Sequence, residues 1–236
     1  MLLFAVGSAA CQPVTTAGPP SPPAATATAA PTQAPTAAPS PTLSLFRLWA
    51  SPALPAELEA RAHELREVGG RQVEWVEDPA MADIRLEPKP ERPLTRWIYA
   101  AVAPFPTLAD GLTSPELAGL WTEGSNLLVS DQDAAALEAL FGVPAGHVVP
   151  SGFLLDAAWA DRSVYAIVPF EVLEPRWKVL EVDGQSPIRK DFEAQAYSLS
   201  LDFGLSGDPA AMDLIEPALA WPTSNRHPDK LTVLVM

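Results

Sequence analysis

The period of the apolar positions changes several times along the chain, and each change marks an element. Leu45, Phe46, Leu48 and Trp49 form an apolar cluster of strand length. Ser51, Pro52 and Pro55 then lead into a helix with Leu54, Leu58, Ala62 and Leu65 at helical spacing, stopped by Gly69 and Gly70. Val73 to Glu77 alternates apolar and charged residues, as a half-buried strand does, and Ala82 to Leu86 reads as another short strand. Strand, helix, strand is a parallel crossover unit. Trp97 to Ala103 is apolar throughout, too short to span a membrane, and bounded by prolines, which predicts a strand buried on both faces. Pro104 and Pro106 end it, Asp110 and Gly111 turn the chain, and Ser114, Pro115 and Glu116 supply the N-cap, first-turn proline and first-turn acid of a helix with Leu117, Leu120 and Trp121.

Asn126 to Val129 reads as a strand. Ser130 or Asp131 then caps a helix with Ala134, Leu137, Leu140 and Phe141 on one face and Gly142 after its end. Ser151 and Gly152 precede a helical segment, Phe153 to Ala160. Val164 to Phe170 is a second wholly apolar strand, expected beside Trp97 to Ala103. Trp177 to Val182 and Tyr197 to Phe203 add strands, with Asp183 and Gly184 as a turn. After Gly204 the pattern becomes irregular. The stretch from Gly207 to Lys230 holds Pro209, Pro217, Pro222 and Pro228 and reads as a linker with at most a short helix around Met212 to Leu219. Leu231 to Met236 is an apolar strand without alternation that stops at the last residue, and a buried strand there lacks its next element, so a truncated gene product is expected.

Composition sharpens this outline. With 236 residues and 48% apolar content the chain can bury a core, while a formal charge of −14 argues against nucleic acid or an anionic surface as partner. Many of the 27 prolines precede Leu43, and residues 12–42 are almost entirely Pro, Ala, Thr and Ser. Such a segment buries too little apolar surface to offset the entropy of ordering and is expected to be a disordered, extended tether. The single cysteine, Cys11, excludes an internal disulfide. His63, His147 and His227 lie in unrelated contexts and do not have the short spacings of a metal site, so no metal and no cofactor is expected. The carboxylates fall mostly on helix exteriors and turns, and no Gly-rich phosphate loop follows a strand. Trp97, Trp121 and Trp159 sit on apolar faces, which favours core over a sugar platform.

Two resemblances follow from particular residues. MLLFAVGSAAC resembles the end of a bacterial lipoprotein signal, which implies that Cys11 carries lipid and that residues 12–42 hold a domain off the outer face of a membrane. It departs from that pattern at Ser8, where a Leu-like residue is usual, and in having no basic residue before the apolar run; an ordinary secretory signal with an incidental cysteine is the alternative. The order ADIRLEP, WIYAAVAPFPTLADGLTSPELAGLW, VYAIVPFEVLEPRWKVLEVDGQSPI and AYSLSLDF resembles a type 2 periplasmic binding protein. More narrowly, PRWKVLEVDGQSP and the final KLTVLVM are similar to the region preceding the catalytic domain in lipoproteins of the CapA family, linked to poly-gamma-glutamate capsule synthesis.

The resemblance implies a two-lobed α/β fold over residues 43–206, with lobe I formed by 43–103 and 164–206 and lobe II by 104–163. Residues 207–230 would be a linker and 231–236 the first strand of a CapA domain, a metallophosphatase-like enzyme lying beyond Met236. A small-molecule ligand would sit in the cleft between the lobes against helix N-termini, whose unpaired N–H groups favour acceptor groups. Ser51, Ser130 and Ser151 are the candidate ligand residues, each a cap on the bland reading, while Ser114 before proline reads as a plain cap. Three functions are thus open: an extracytoplasmic accessory domain to a CapA-type enzyme, a free-standing solute-binding lipoprotein of a transport system, and, last, an enzyme within these residues, for which no catalytic constellation is present.

Overall fold

The computed structural model describes Gly18 and residues 45–105, 107–124 and 126–226. Cys11, the tether apart from Gly18, and the strand expected at Leu231 to Met236 lie outside the described residues. The chain runs β1 (Leu45–Ala50), α1 (Ala56–His63), β2 (Glu67–Val68), β3 (Arg71–Trp75), β4 (Ile84–Pro88), β5 (Arg92–Pro104), β6 (Gly111–Leu112), α2 (Ser114–Glu123), β7 (Leu127–Ser130), α3 (Ala134–Phe141), β8 (Val148–Val149), α4 (Leu154–Ala160), β9 (Tyr165–Pro169), β10 (Trp177–Val179), β11 (Glu181–Val182), β12 (Ser200–Gly207) and α5 (Pro209–Leu219).

One strand holds the architecture together. The main sheet has the order β2-β3-β1-β4-β12-β5-β9-β7-β8, with β10 also on β5 and a separate β6–β11 pair. The first half of β5, through Ile98, lies antiparallel to β12, and from Tyr99 to Val102 it lies antiparallel to β9. Strands β1 to β4 and β12 on one side of the sheet and β7 to β10 on the other therefore share β5. The two apolar strands of the sequence are neighbours as expected, with Tyr99 opposite Pro169 and Val102 opposite Ala166. β1 is parallel to β3 and β4, the crossover arrangement that strand, helix, strand requires.

The unbroken apolar run in β5 has a simple cause. Successive side chains point to opposite faces. Trp97, Tyr99, Ala101 and Ala103 join the main core with Phe46, Leu58, Leu86, Leu117, Leu137 and Phe203, while Ala100 and Val102 pack with Leu154 and Ala158 of α4 on the other side. β5 also starts earlier than the apolar run. Its first residues pair with β12 despite Pro93, which has no N–H to donate; the ladder shifts register at Phe203/Gly204, where Gly204 lies opposite Pro93. A Cβ on Gly204 would stand 2.0 Å from the Arg92 carbonyl oxygen, so the close approach requires glycine there.

Several local expectations are corrected. Thr113, not Ser114, is the N-cap of α2, in a capping box with Glu116, and Ser114 instead donates through its backbone N–H (2.9 Å) and hydroxyl to Asp183. Gly69 and Gly70 do not end α1, which stops at His63; with φ of 57° and 77° they make the tight turn between β2 and β3. The strand expected from Trp177 to Val182 divides at Leu180, so that β10 joins β5 and β11 joins β6. Asp183 and Gly184 do form the turn after it, both with left-handed φ.

The largest correction concerns the segment read as a linker. β12 continues through Gly204 to Gly207, and α5 follows at once, with Asp208 accepting from the Ala211 N–H. α5 buries Ala211, Met212, Ile215 and Leu219. Its prolines misled because Pro209 stands in the first turn, where a missing N–H costs nothing. Beyond it, Trp221 donates to the Leu58 carbonyl (3.2 Å) and Ser224 pairs with Arg96 in β5.

Candidate functional site

At the crossing point of β5 lie one of the buried polar atoms without a partner, the Tyr99 hydroxyl, and a side-chain bridge to the strand backbone. N–H groups alternate sides along a strand. Tyr99 N donates to Leu199 O (2.9 Å) on the β12 edge, whereas Arg96 N donates to Thr223 O (3.0 Å) on the other. Between that bond and the start of the β9 pairing, the Ile98 backbone has no strand partner on this edge. Asn225 fills the gap: its Oδ1 accepts from Ile98 N (2.7 Å) and its Nδ2 donates to Ile98 O (2.9 Å). The same Nδ2 donates to Glu171 Oε2 (2.6 Å), just past the end of β9.

Three further groups are coupled to this point through charge or burial. Tyr99 is fully buried, and its hydroxyl has no hydrogen-bond partner among the described residues. Asp133 stands at the N-terminus of α3, its Oδ2 accepting from the Ser130 hydroxyl (2.5 Å) while Ser130 Oγ accepts from Asp133 N (3.1 Å). Glu57 lies in the first turn of α1, exposed and paired with Arg61 (3.0 Å). Neither α1 nor α3 has a side-chain cap bond at its start.

The electrostatics are those of a crowded set of carboxylates. Glu171 is exposed to solvent along part of its side chain, with its carboxylate bonded to Asn225. Desolvation pushes its carboxyl up to about 7; hydrogen bonds from its own backbone and from Asn225 oppose this, and the charges of Asp133 and Glu57 add to it. Asp133 is also raised, by desolvation first, with the Ser130 hydroxyl opposing and Asp131 contributing. The Tyr99 hydroxyl is held well above its ordinary range by burial, then by the charges of Asp133 and Glu171.

The three candidate serines divide. Ser130 is buried at the end of β7 and belongs to the cluster through Asp133. Ser151 is exposed; its N–H donates to Asp131 Oδ1 (2.8 Å), and its side chain makes no cap bond, so it stands beside Ser130 without joining the buried group. Ser51 lies past the end of β1 in the other lobe, where its hydroxyl accepts from Ala53 N (3.2 Å) and closes a local turn; the cap position of α1 is Pro55. Tyr99, Asp133, Glu171 and Asn225 were not read as site residues. The one signal for Tyr99 is a lone hydroxyl inside an otherwise apolar strand. Nothing local marks Glu171 or Asn225, which are 54 residues apart.

Two surface depressions lie elsewhere, and their charges are already matched. One surrounds the two-pronged ion pair of Arg96 with Asp202 (2.6 and 2.8 Å). The other surrounds Lys178, bonded to Asp110 (2.7 Å), and Arg189, paired with Glu181. Neither offers an unpaired charge to a ligand.

Comparison with known proteins places the fold. No protein-family model matches the chain, and no curated protein matches it. Solved structures do. The chain is similar to an ABC-type phosphate transport receptor from Vibrio cholerae, at 14% identity and a TM-score of 0.54, over 75% of this chain and 93% of that one. It is similar to a possible phosphate binding protein from Planctomyces limnophilus DSM 3776, at 13% identity and a TM-score of 0.55, over 75% of this chain and 86% of that one. The fold is thus α/β and two-lobed, of the type 2 periplasmic-binding-protein kind.

Proposed function

We propose that the chain is a solute-binding protein whose small-molecule ligand sits between the lobes, at the junction of β5 and β9. The observation that carries this reading is the unbonded, buried Tyr99 hydroxyl on β5, the strand the lobes share, where Asn225 ties the Ile98 backbone to Glu171 and the charges of Asp133 and Glu171 act on the phenol. A folded core does not need an unbonded phenol, because burying a polar group without a partner costs free energy. A cleft that closes on a polar solute does need such groups. The likeness to phosphate transport receptors agrees with a solute-receiving role. Ser130 belongs to the proposed site, and Ser51 and Ser151 flank it as secondary candidates.

The wider assignment rests on the sequence. We propose that Cys11 carries a lipid, that residues 12–42 tether the domain, and that the protein works outside the cytoplasm on a membrane face. No helix among the described residues is long and apolar enough to cross a membrane, so attachment of this kind would need an anchor outside them. A second reading, an accessory domain to a CapA-type enzyme, is supported by the resemblance of PRWKVLEVDGQSP and KLTVLVM, of which only the first lies in the described residues.

The test is a thermal-shift screen of the full chain against small polar solutes. A ligand of the native state raises the melting temperature by mass action. The expected result is at least one solute whose effect disappears in Asp133→Asn and Glu171→Gln. A screen in which every stabilising solute acts equally on the wild type and on both variants places binding outside this cleft and defeats the proposal.

A further inference from the structure

We infer that residues 223–226 form a releasable strap on β5, at the place where that strand passes from β12 to β9, and that its opening, with the rest of the domain folded, frees the two sides of the sheet to move against each other. The inference goes beyond the solute reading, because it holds whatever the cleft receives. It starts from the edge of β5 that faces away from β12. β9 covers that edge from Tyr99 to Val102. The strap covers the stretch before it: Arg96 N donates to Thr223 O (3.0 Å), Ser224 is bridged to Arg96 in parallel, and Asn225 holds both backbone groups of Ile98. β9 and the strap thus lie end to end along one strand, joined where Asn225 Nδ2 meets Glu171 Oε2 (2.6 Å).

The two segments are held by different physics. β9 is buried from Ala166 to Pro169, with apolar side chains throughout that run. The strap consists of Thr223, Ser224, Asn225 and Arg226, has no apolar side chain to bury, and buries Asn225 alone. Hydrogen bonds hold it, and water replaces these at little net cost, so it belongs to the parts of a fold that open below the global unfolding free energy. Arg226 is the clasp. Its Nε and Nη2 donate to the carbonyls of Pro187 (2.8 Å) and Arg189 (2.9 Å), and its own backbone N–H donates to Ser224 Oγ (3.0 Å). The guanidinium lies 5.1 Å from the ring centroid of Phe192 and 6.0 Å from that of Phe170. Phe170 follows β9 and Phe192 stands in the segment leading to β12, so one side chain spans the exit of one neighbour of β5 and the entry of the other. The opposite end of the strap follows Trp221, bonded to Leu58 O of α1 (3.2 Å). With the clasp open this tie is lost while β12 and β9 keep their own ladders to β5, which is how a hinge is released without unfolding.

The experiment is native-state hydrogen exchange of single amides in the full chain. Arg96 and Ile98 donate to the strap, whereas Tyr99 donates to Leu199 O (2.9 Å) on the other edge of the same strand. Relative to their intrinsic rates, Arg96 and Ile98 should exchange at least about tenfold faster than Tyr99 in the wild type, because strap opening alone exposes them. Arg226→Ala should widen that ratio at least about tenfold further; a general loss of stability speeds all three amides alike and leaves the ratio where it was. Spin labels on Ala60→Cys in α1 and Ala118→Cys in α2, both exposed positions, in a chain carrying Cys11→Ser, read the second half of the inference. Their distance distribution should broaden in Arg226→Ala and stay unchanged in Arg92→Ala, which removes only the pairing of β5 with Asp213 and Glu216 of α5. Equal exchange of Arg96, Ile98 and Tyr99 in the wild type would mean that the strap opens only with the whole domain, and would overturn the inference even where the variant does not fold. Faster exchange in Arg226→Ala with an unchanged distance distribution would show that the strap does not hold the two sides of the sheet, and would overturn it too.

Discussion

Asn225 and Glu171 meet through one hydrogen bond of 2.6 Å, and the same Asn225 amide holds both backbone groups of Ile98. One side chain near the end of the described chain thus ties together β5 and the segment leaving β9, the two connections that join the lobes. Any relative motion of the lobes must be accommodated around this point.

Asn225→Ala should therefore destabilise the fold well beyond the usual cost of an asparagine replacement. It leaves the Ile98 N–H and C=O without partners at a buried position, and each such group costs about 1–3 kcal/mol. A loss of about 2–4 kcal/mol in urea denaturation is expected, with the slope unchanged. A loss below about 1 kcal/mol would show that water or a shifted strand serves Ile98 instead.

Glu171 sets a pH dependence with a definite sign. Its folded-state carboxyl titrates at about 7, above the ordinary value of 4.5, so the folded protein binds this proton more tightly than the unfolded chain does. Its contribution is fully present below the unfolded value, declines as pH rises from about 4.5 towards 7, and is absent above that. Asp133 is raised as well and acts in the same direction. The melting temperature should fall between about pH 5.5 and pH 8, and Glu171→Gln should flatten most of that slope. A wild-type profile that is already flat would contradict the crowded-carboxylate description.

Much of this fold was legible in the sequence, and the larger misses share a cause. Trp97 to Ala103 and Val164 to Phe170 announced themselves as neighbouring buried strands because both faces are covered, which removes every polar residue from the run. The helix end marked by Gly142 after α3, at φ 79°, was equally clear, whereas Gly69 and Gly70 belong to the β2–β3 turn and not to the end of α1. What failed depended on partners distant in sequence. Pro209 and Pro217 suggested a linker, yet α5 is held by its apolar face against β12 and β2, which no local pattern reveals. The candidate site behaves likewise: Ser130 is a candidate by its place before a helix, while Glu171 and Asn225 acquire their meaning only from each other.

The Gly204 position tests how β5 is accommodated. Gly204→Ala adds a Cβ 2.0 Å from Arg92 O and 2.9 Å from Leu94 N, both backbone atoms that cannot rotate away. The strand pair must separate or the bulge must move, at a cost expected to exceed about 2 kcal/mol. Gly142→Ala is the control: its Cβ meets open space, and only the left-handed φ is strained, for about 1 kcal/mol. Thermal denaturation should rank the two in that order. Equal costs would mean that β5 and β12 are not in the register described.

The last expectation concerns α5. Ile215 is fully buried there, in the core that also contains Leu58 and Leu205. If the segment after Gly207 were a linker, Ile215→Ala would remove a solvated side chain and change stability by less than about 0.5 kcal/mol. In the packed arrangement it opens a cavity in the first lobe, and a loss of about 2–4 kcal/mol is expected. Leu214→Ala on the same helix provides the contrast, since Leu214 is 47% exposed and should cost far less. Shortening the chain after Gly207 goes further, because it uncovers Leu58, Ile84 and Leu205 together and removes Asn225. That truncated chain should show no cooperative thermal transition; a sharp one near the wild-type temperature would show that α5 is dispensable to the domain.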